Sequence, residues 1–357
     1  MSRQPVADAF SVEPRSGVAA ALLPWFGRSA RDLPWRKDRT GYRVWVSEVM
    51  LQRTRVATVI PYYERFLTAF PSIRDLATAD IDQVLALWSG LGYYRRARSL
   101  HEGARDVVAR FGGELPRSVE LLRTIKGIGP YTAGAIASMA FGIRTPLVDG
   151  NVLRVLVRLH AIREDARQTR VQRRLWSLAE ALVPADLPGL FNEALMELGA
   201  TVCLPRDPLC LLCPLAFICE GNRLGIAASL PILAPPRPLL VIHAAALIAK
   251  QADSVLLGRR RGDVLFGGLW EPPLVEASSP EEASRCLASF AASPIPVGKV
   301  QHILSHRKMH VTVFQGNLTN SPRYPEMYEE VRWVKEDNLH LYGISTLARK
   351  LLAQGVG

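Results

Sequence analysis

An all-helical domain followed by a smaller α+β domain is the architecture this sequence predicts. Three observations predict it. From about residue 16 to 224 apolar residues recur at helical spacing, and nothing alternates like a sheet. Residues 225–238, GIAASLPILAPPRP, are rich in proline and small residues and carry no helical stripe, which is linker composition. Residues 239–357 then change texture, with alternating, strand-like runs. At 357 residues, 48% of them apolar, the chain is long enough to build two cores.

The elements follow in order. Residues 1–15 read as a loose tail. In SEVMLQRTRVATVIPYYERF (47–66), Val49, Met50, Val56, Ala57 and Ile60 fall at helical spacing, with Ser47 as N-cap. Joints bearing Gly and Pro separate further expected helices at 83–89, 97–110, 116–125, 130–141, 152–160, 171–183 and 188–200. In the second half, LVIHAAALIA and SVLLGRR read as strands paired around a KQAD turn. HVTVFQGNL (310–318) alternates, and EVRWVK (330–335) is strand-like. SPEEASRCLASF (279–290) opens with Ser, Pro and two acids, a helix start, and LARKLLAQ (347–354) closes the chain as a helix.

Charge narrows the partners. Lys and Arg number 44 against 33 Asp and Glu, a net +11, of which residues 1–224 carry +8. Such an excess favours a polyanion, because basic side chains that neutralise phosphates release counterions. No run of about 20 apolar residues exists, so a spanning helix is not expected. The N-terminus, MSRQPVADAFSVEPRSG, lacks a hydrophobic signal core. The expected home is a reducing cytoplasm, where clustered cysteines suggest metal rather than disulfides.

Four of the five cysteines crowd into CLPRDPLCLLCPLAFIC, as Cys203, Cys210, Cys213 and Cys219. The spacing C-x6-C-x2-C-x5-C lets four thiolates wrap one centre, a tetrahedral zinc or a cubane iron–sulfur cluster. Only one pair is as close as a zinc knuckle, and the wider gaps suit a larger object. Cys286 stands apart as a packing residue.

A second motif is LLRTIKGIGPYTAGAIASMAFG (121–142). A helix runs into Gly127-Ile128-Gly129, and Pro130 starts the next. The glycines permit a tight turn with positive φ, and the following helix N-terminus offers free amides and a positive dipole to a phosphate.

The carboxylates pose the chemical question. Cleaving an N-glycosidic bond needs a proton for the leaving base and negative charge near the growing sugar cation, which two carboxyl groups of opposite ionisation can supply. In PLVDGNVLRV (146–155), Asp149 and Asn151 sit where a helix begins, and alone they read as N-caps. Glu48 is expected in the first turn of its helix, where the dipole favours the ionised form. A general acid needs the opposite shift, so burial would have to outweigh the dipole.

Resemblance goes further. The cysteine spacing after a helical region resembles the four-iron, four-sulfur motif of the endonuclease III superfamily of DNA glycosylases. That implies a chiefly structural [4Fe-4S] cluster and a loop, here LPRDPL with Arg206, facing the DNA backbone. The Gly127–Gly129 turn resembles that superfamily's helix–hairpin–helix, usually L-P-G-V-G. Lys126 replaces the proline and is read as an extra phosphate contact. WVSEVMLQRTRVATVIPYYERF, LWSGLGYYRRARSL, GIGPYTAGAI and VDGNVLRV together resemble the MutY-type adenine DNA glycosylases, a likeness that covers almost the whole chain.

That resemblance implies roles. Glu48 protonates adenine N7 and Asp149 stabilises the oxocarbenium-like sugar, with Tyr131 and Asn151 assisting. The family's retention of configuration suggests a transient Asp149 adduct. Tyr131 occupies the slot where strand-cutting relatives carry a lysine, so the expected enzyme is monofunctional. Leu91 and Tyr93 match wedge residues that fill the hole left by a flipped base. Gln52 and Arg53 stand at the second wedge, where the family usually reads M-L-Q-Q-T and Arg53 replaces a glutamine. Arg95, Arg96 and Arg98 line the DNA backbone or form a solvated helix face, and Tyr94 reads as core.

Residues 239–357 resemble the family's Nudix-like lesion-recognition domain, through VLLGRRRGDVLFGGLWEPP and HILSHRKMHV. There Ser305 and His306 would contact 8-oxoguanine, with Leu304 where the family has phenylalanine. Glu281 and Glu282 do not complete a Nudix box, so no nucleoside-diphosphate hydrolysis is expected. The implied partner is double-stranded DNA carrying A·8-oxoguanine or A·G mismatches, bound by a monomer. Two other readings stand beside it: a thymine- or uracil-mismatch glycosylase on the same scaffold, and a non-catalytic, zinc-bound DNA-binding module.

Overall fold

The computed structural model describes residues 17–234 and 238–355. The expected tail at 1–15 and part of the 225–238 linker lie outside them. The helices are α1 (Val18–Ser29), α2 (Pro34–Lys37), α3 (Gly41–Leu51), α4 (Val56–Ala69), α5 (Ile73–Thr78), α6 (Ile81–Trp88), α7 (Arg95–Phe111), α8 (Val119–Leu122), α9 (Pro130–Ala135), which continues as a π-helical turn (Ile136–Ala140), α10 (Gly150–Leu159), α11 (Thr169–Leu182), α12 (Pro188–Thr201) and α13 (Glu220–Arg223). The later part comprises β1 (Leu240–Ile248), β2 (Lys250–Gln251), β3 (Ser254–Arg260), β4 (Trp270–Glu271), β5 (Leu274–Ala277), α14 (Pro280–Leu287), β6 (Ala291–Ile303), β7 (Arg307–Leu318), β8 (Tyr328–Lys335) and α15 (Thr346–Leu352). Among the described residues no helix is long and apolar enough to cross a membrane.

Contacts group the chain into two compact units that do not follow chain order: Met1–Glu48 with Leu115–Pro235, and Val49–Glu114 with Pro236–Gly357.

In the first unit α12 is central, packing on α1, α10 and the π turn. Leu22, Phe26, Ile136, Leu156, Phe191 and Leu195 are buried there. Glycines set the spacing. A Cβ on Gly199 would sit 2.6 Å from Asn151 Cβ, and one on Gly189 2.5 Å from the Ser138 carbonyl oxygen. Buried Asn192 donates through Nδ2 to Ser138 Oγ and to the Thr145 carbonyl, both at 2.9 Å.

In the second unit, sheet order β5-β1-β7-β6 faces a smaller sheet of β2, β3, β4 and β8. β1 runs parallel to β7, with His243 opposite His310. Even-numbered β1 residues (Ala244, Ala246, Ile248) enter a core with β3, β7 and α15, while Ala245 and Leu247, with Ala249 just past the strand, pack with Ala283 and Leu287 of α14. A strand covered on both faces reads as a continuous apolar run, which explains LVIHAAALIA. α6 and α7 belong to this unit. Trp270 Nε1 donates to Asp82 Oδ1 at 3.3 Å, Tyr94 Oη to the Ile344 carbonyl at 3.3 Å, and Arg98 to the Gly262 carbonyl at 2.7 Å.

Three expectations are corrected. LVIHAAALIA and SVLLGRR are not strand partners: β1 and β3 lie in different sheets, and only Lys250 and Gln251 pair back across the turn. Residues 47–66 are not one helix, because Arg53 takes a left-handed conformation, φ +61°, and breaks it. Ser47 is not an N-cap. It lies buried in mid-helix, with Oγ donating to the Val44 carbonyl at 2.9 Å.

Candidate active site

Glu48 is the eighth of eleven residues in α3, so it lies toward the C-terminal end and not in a first turn. The dipole there opposes an anion instead of favouring one. The side chain is only 3% exposed. Burial pushes its carboxyl up to about 7. The Tyr131 hydroxyl and the Arg36 charge pull downward, while Asp149 and Glu193 push further up.

Tyr131 enters from the first turn of α9, directly after Pro130, and donates its hydroxyl to Glu48 Oε2. Burial beside Glu48 holds the phenol well above its ordinary value, so it stays a donor. Gly134, one turn on, lets α9 approach residue 146: a Cβ there would lie 2.3 Å from the Pro146 carbonyl oxygen.

Asp149 N-caps α10, as its sequence context predicts. Oδ1 accepts from Val152 N at 2.7 Å and Oδ2 from Asn151 Nδ2 at 3.0 Å. Burial raises its pKa, and those donors, which favour the anion, hold the rise back. The cap and the electrostatic role are therefore compatible. Asn151 also accepts from Arg154 Nη2 at 2.9 Å, and Arg154 donates to the carbonyls of Cys203 and Gly199, both at 2.7 Å. Sequence inspection missed Arg154. Its only signal is an arginine one turn after Asn151 on a buried helix.

The four cysteines line one hollow with Arg158, Val202 and Asn222, holding about 300 Å³ free of protein atoms, part of it open to solvent. Arg158 is a second missed residue. It is 1% exposed and donates to the carbonyls of Leu204 (2.6 Å), Pro205 (3.2 Å) and Leu230 (3.0 Å) and to Cys203 Sγ (3.3 Å). The three carbonyl partners carry no formal charge, and a buried cation without counter-charge is costly. A centre ligated by four thiolates would supply that charge, so the residues present fit one. Among the described residues no trio of His, Cys, Asp or Glu is arranged for a single metal ion. Arg206 lies exposed in the loop.

The hairpin joins α8 to α9. Gly127 takes φ +83°, as a tight turn requires, whereas Gly129 has φ −85° and is the N-cap of α9. Its expected positive φ is corrected: the turn is already made at Gly127. Lys126 is exposed.

The proposed DNA readers belong to the second unit. Arg53 and Tyr93 are exposed and both left-handed, φ +61° and +49°, and Arg53 lies over the Tyr93 ring, 5.7 Å from its centroid. Gln52 precedes that turn, and Leu91 is buried. Tyr93 Oη lies 2.9 Å from Ser305 Oγ. His306 is exposed, and its carbonyl accepts from Leu240 N at 3.0 Å. Leu304 packs against the core. Arg95 is exposed, but Arg96 turns inward onto backbone carbonyls and neither lines a phosphate track nor forms a solvated face.

Three acids of the second unit, Glu271, Glu276 and Glu282, are bound to protein partners. Buried Arg260 holds Glu271 (Nε to Oε1, 2.5 Å) and Glu276 (3.2 Å), and Tyr328 Oη donates to Glu271 at 2.8 Å. Glu282 accepts from Ser278 N at 3.0 Å.

Residues 46–181 match the family model described as HhH-GPD superfamily base excision DNA repair protein, and residues 244–354 match the NUDIX domain. A thermostable thymine-DNA glycosylase overlays with a TM-score of 0.53 and 30% identity, covering 57% of this chain and 94% of that one. Fold and matches together define a DNA N-glycosylase, a helical base-excision domain followed by a Nudix-like one. The chain is 37% identical over 396 residues to an adenine DNA glycosylase of Homo sapiens, covering 93% of this chain and 72% of that protein. It is 39% identical over 393 residues to the Mus musculus enzyme, covering 92% and 76%. The chain belongs to the adenine DNA glycosylase family.

Proposed function

We propose that this chain excises adenine paired with 8-oxoguanine, and with guanine, in duplex DNA, as a monofunctional glycosylase. The observation that carries this is Glu48, a buried carboxyl raised to about 7 beside the Asp149 charge. Near neutral pH a large fraction of Glu48 holds its proton and can deliver it to the leaving purine. The N-glycosidic bond breaks, its electron pair leaves with the protonated base, and Asp149 stabilises the sugar cation as carboxylate or transient adduct. Water then completes hydrolysis at the anomeric carbon. Extrusion of the adenine from the stack must come first.

Tyr131 supports the monofunctional reading, because a phenol forms no imine. Cys203, Cys210, Cys213 and Cys219 would hold a [4Fe-4S] cluster, whose role there would be to brace the loop. Arg158 supports that occupant through its need for counter-charge. Ser305 and His306 are proposed donors to the oxidised guanine, and the Gly127–Gly129 hairpin with Lys126 a phosphate grip.

The test is base release from duplexes varying the target and its partner, with Glu48→Gln alongside and borohydride trapping in parallel. Adenine release opposite 8-oxoguanine, abolished in the variant and without a trapped adduct, is the expected result. Stoichiometric trapping overturns the monofunctional assignment. A thymine-mismatch activity is the second reading, favoured by the overlay with the thymine-DNA glycosylase. That likeness spans 57% of the chain against 93% for the human adenine enzyme, which favours adenine. Colour excludes or supports the zinc-bound alternative: the iron–sulfur protein is yellow-brown.

A further inference from the structure

Arg96, the second residue of α7, does something its neighbours Arg95 and Arg98 do not. Its Nη1 donates to the carbonyls of Val49 and Met50, both at 2.9 Å, and to that of Gln52. Its Nη2 donates to Thr54 Oγ1 at 3.1 Å, to the Gly92 carbonyl at 3.1 Å and to the Leu91 carbonyl at 3.5 Å. Val49 and Met50 lie in the last turn of α3, whose carbonyls have no partner inside the helix. One planar guanidinium thus closes α3 and ties two separate turns together.

The rings add a second tie. The Arg96 guanidinium lies 5.4 Å from the Trp88 ring centroid and 5.3 Å from that of Tyr93. Trp88 Nε1 donates to the same Gly92 carbonyl at 3.1 Å. Arg53 and Tyr93 are both non-glycine residues in the left-handed region. Such conformations persist where the surroundings over-determine them. Here the shared surrounding is Arg96.

We propose that Arg96 is a positioning residue that locks the Gln52–Thr54 and Leu91–Tyr93 turns into one rigid wedge, so that both enter the duplex in a single step. The proposal rests on the reading of those turns as DNA wedges. Arg96 itself touches no DNA. Both terminal nitrogens, Nη1 and Nη2, are spent on the protein, while Nε is buried without a hydrogen-bond partner; lysine, with a compact three-donor head, cannot span both turns.

The experiment follows base unstacking by stopped-flow fluorescence. The probe is a duplex with 2-aminopurine beside a tetrahydrofuran abasic site opposite 8-oxoguanine, mixed with the full chain, Arg96→Lys and Arg96→Met. The full chain gives one fast rise. Both variants slow it by about tenfold or more, the scale of losing a charge-assisted hydrogen bond, and split it into two phases. Affinity for undamaged duplex and its salt dependence stay unchanged. A salt slope shallower by about one in Arg96→Lys or Arg96→Met makes Arg96 a phosphate contact and overturns the proposal. Full rescue by lysine overturns it too, because charge alone would then suffice. So does an Arg96→Lys chain that unfolds as a whole, since Arg96 would then be a general support. No rise with the full chain refutes the wedge reading itself, which separates that failure from this one.

Discussion

Glu48 shows how burial and helix position act together on one proton. Its carboxyl is raised from the ordinary 4.5 to about 7, and the first cause is loss of water. Adenine release should therefore fall as pH rises through about 7, read as the single-turnover rate across pH 5 to 9. Removing the Tyr131 hydroxyl removes a donor that favours the Glu48 anion. Tyr131→Phe should thus move that limb to higher pH, with only a moderate fall in the maximum rate; a limb moving lower would contradict the arrangement. The same proton governs stability. A carboxyl raised on folding stabilises fully below its unfolded value of 4.5, and that contribution is lost as pH rises through about 7. Glu48→Gln should match the native chain in thermal unfolding at pH 4. At pH 8 it should exceed it by up to roughly 3 kcal/mol, the worth of a shift of this size. Glu48 is legible in the sequence as a candidate, but its place in the helix is not. The helix begins at Gly41, inside GYRVWV, where β-branched and aromatic residues hide a helix start, so Ser47 looked like the cap.

Helix α10 and its neighbour α12 pack together and hold Asp149 and the residues that follow it. α10 carries Asp149 as cap, and Asn151, Arg154 and Arg158 follow within its length. Arg154 and Arg158 reach the backbone of the cysteine loop, so one helix spans from the candidate carboxylate to the candidate cluster. α12 lies close enough to touch Asn151 because residue 199 is glycine. Gly199→Ala should force the helices apart, costing about 1–3 kcal/mol of stability by overpacking. It should also lower the base-release rate more than the affinity for duplex. An unchanged melting temperature would mean that the helices absorb the methyl group. At this scale the sequence was informative where side chains are local. The hairpin, the Asp149 cap and α14, which opens at Ser279 with Oγ accepting from Glu282 N, follow from neighbouring residues. Strand partners did not follow, because β1 pairs with β7 67 residues on (Leu240 opposite Arg307), and nothing in LVIHAAALIA names its neighbour.

Across the whole molecule, the residues proposed for chemistry and those proposed for reading fall in different units. Glu48, Tyr131, Asp149 and the four cysteines belong to one, and Arg53, Tyr93, Ser305 and His306 to the other. The division crosses α3 immediately after Glu48. Chain order hid this: a change of texture near 225–238 marks where strands begin, not which helices the strands hold. Leu85 shows the dependence, since a Cβ on Gly343 would lie 2.6 Å from its own Cβ. A chain ending at residue 234 should therefore lose hydrogen-exchange protection across α6 and α7 while α10 and α12 keep theirs; equal protection in both would refute the grouping. For anyone recombining relatives, the natural seam is discontinuous. A chimera that borrows only the later segment from a cousin must also borrow residues 49–114, or Trp270, Ile344 and Gly343 will meet foreign surfaces in place of Asp82, Tyr94 and Leu85.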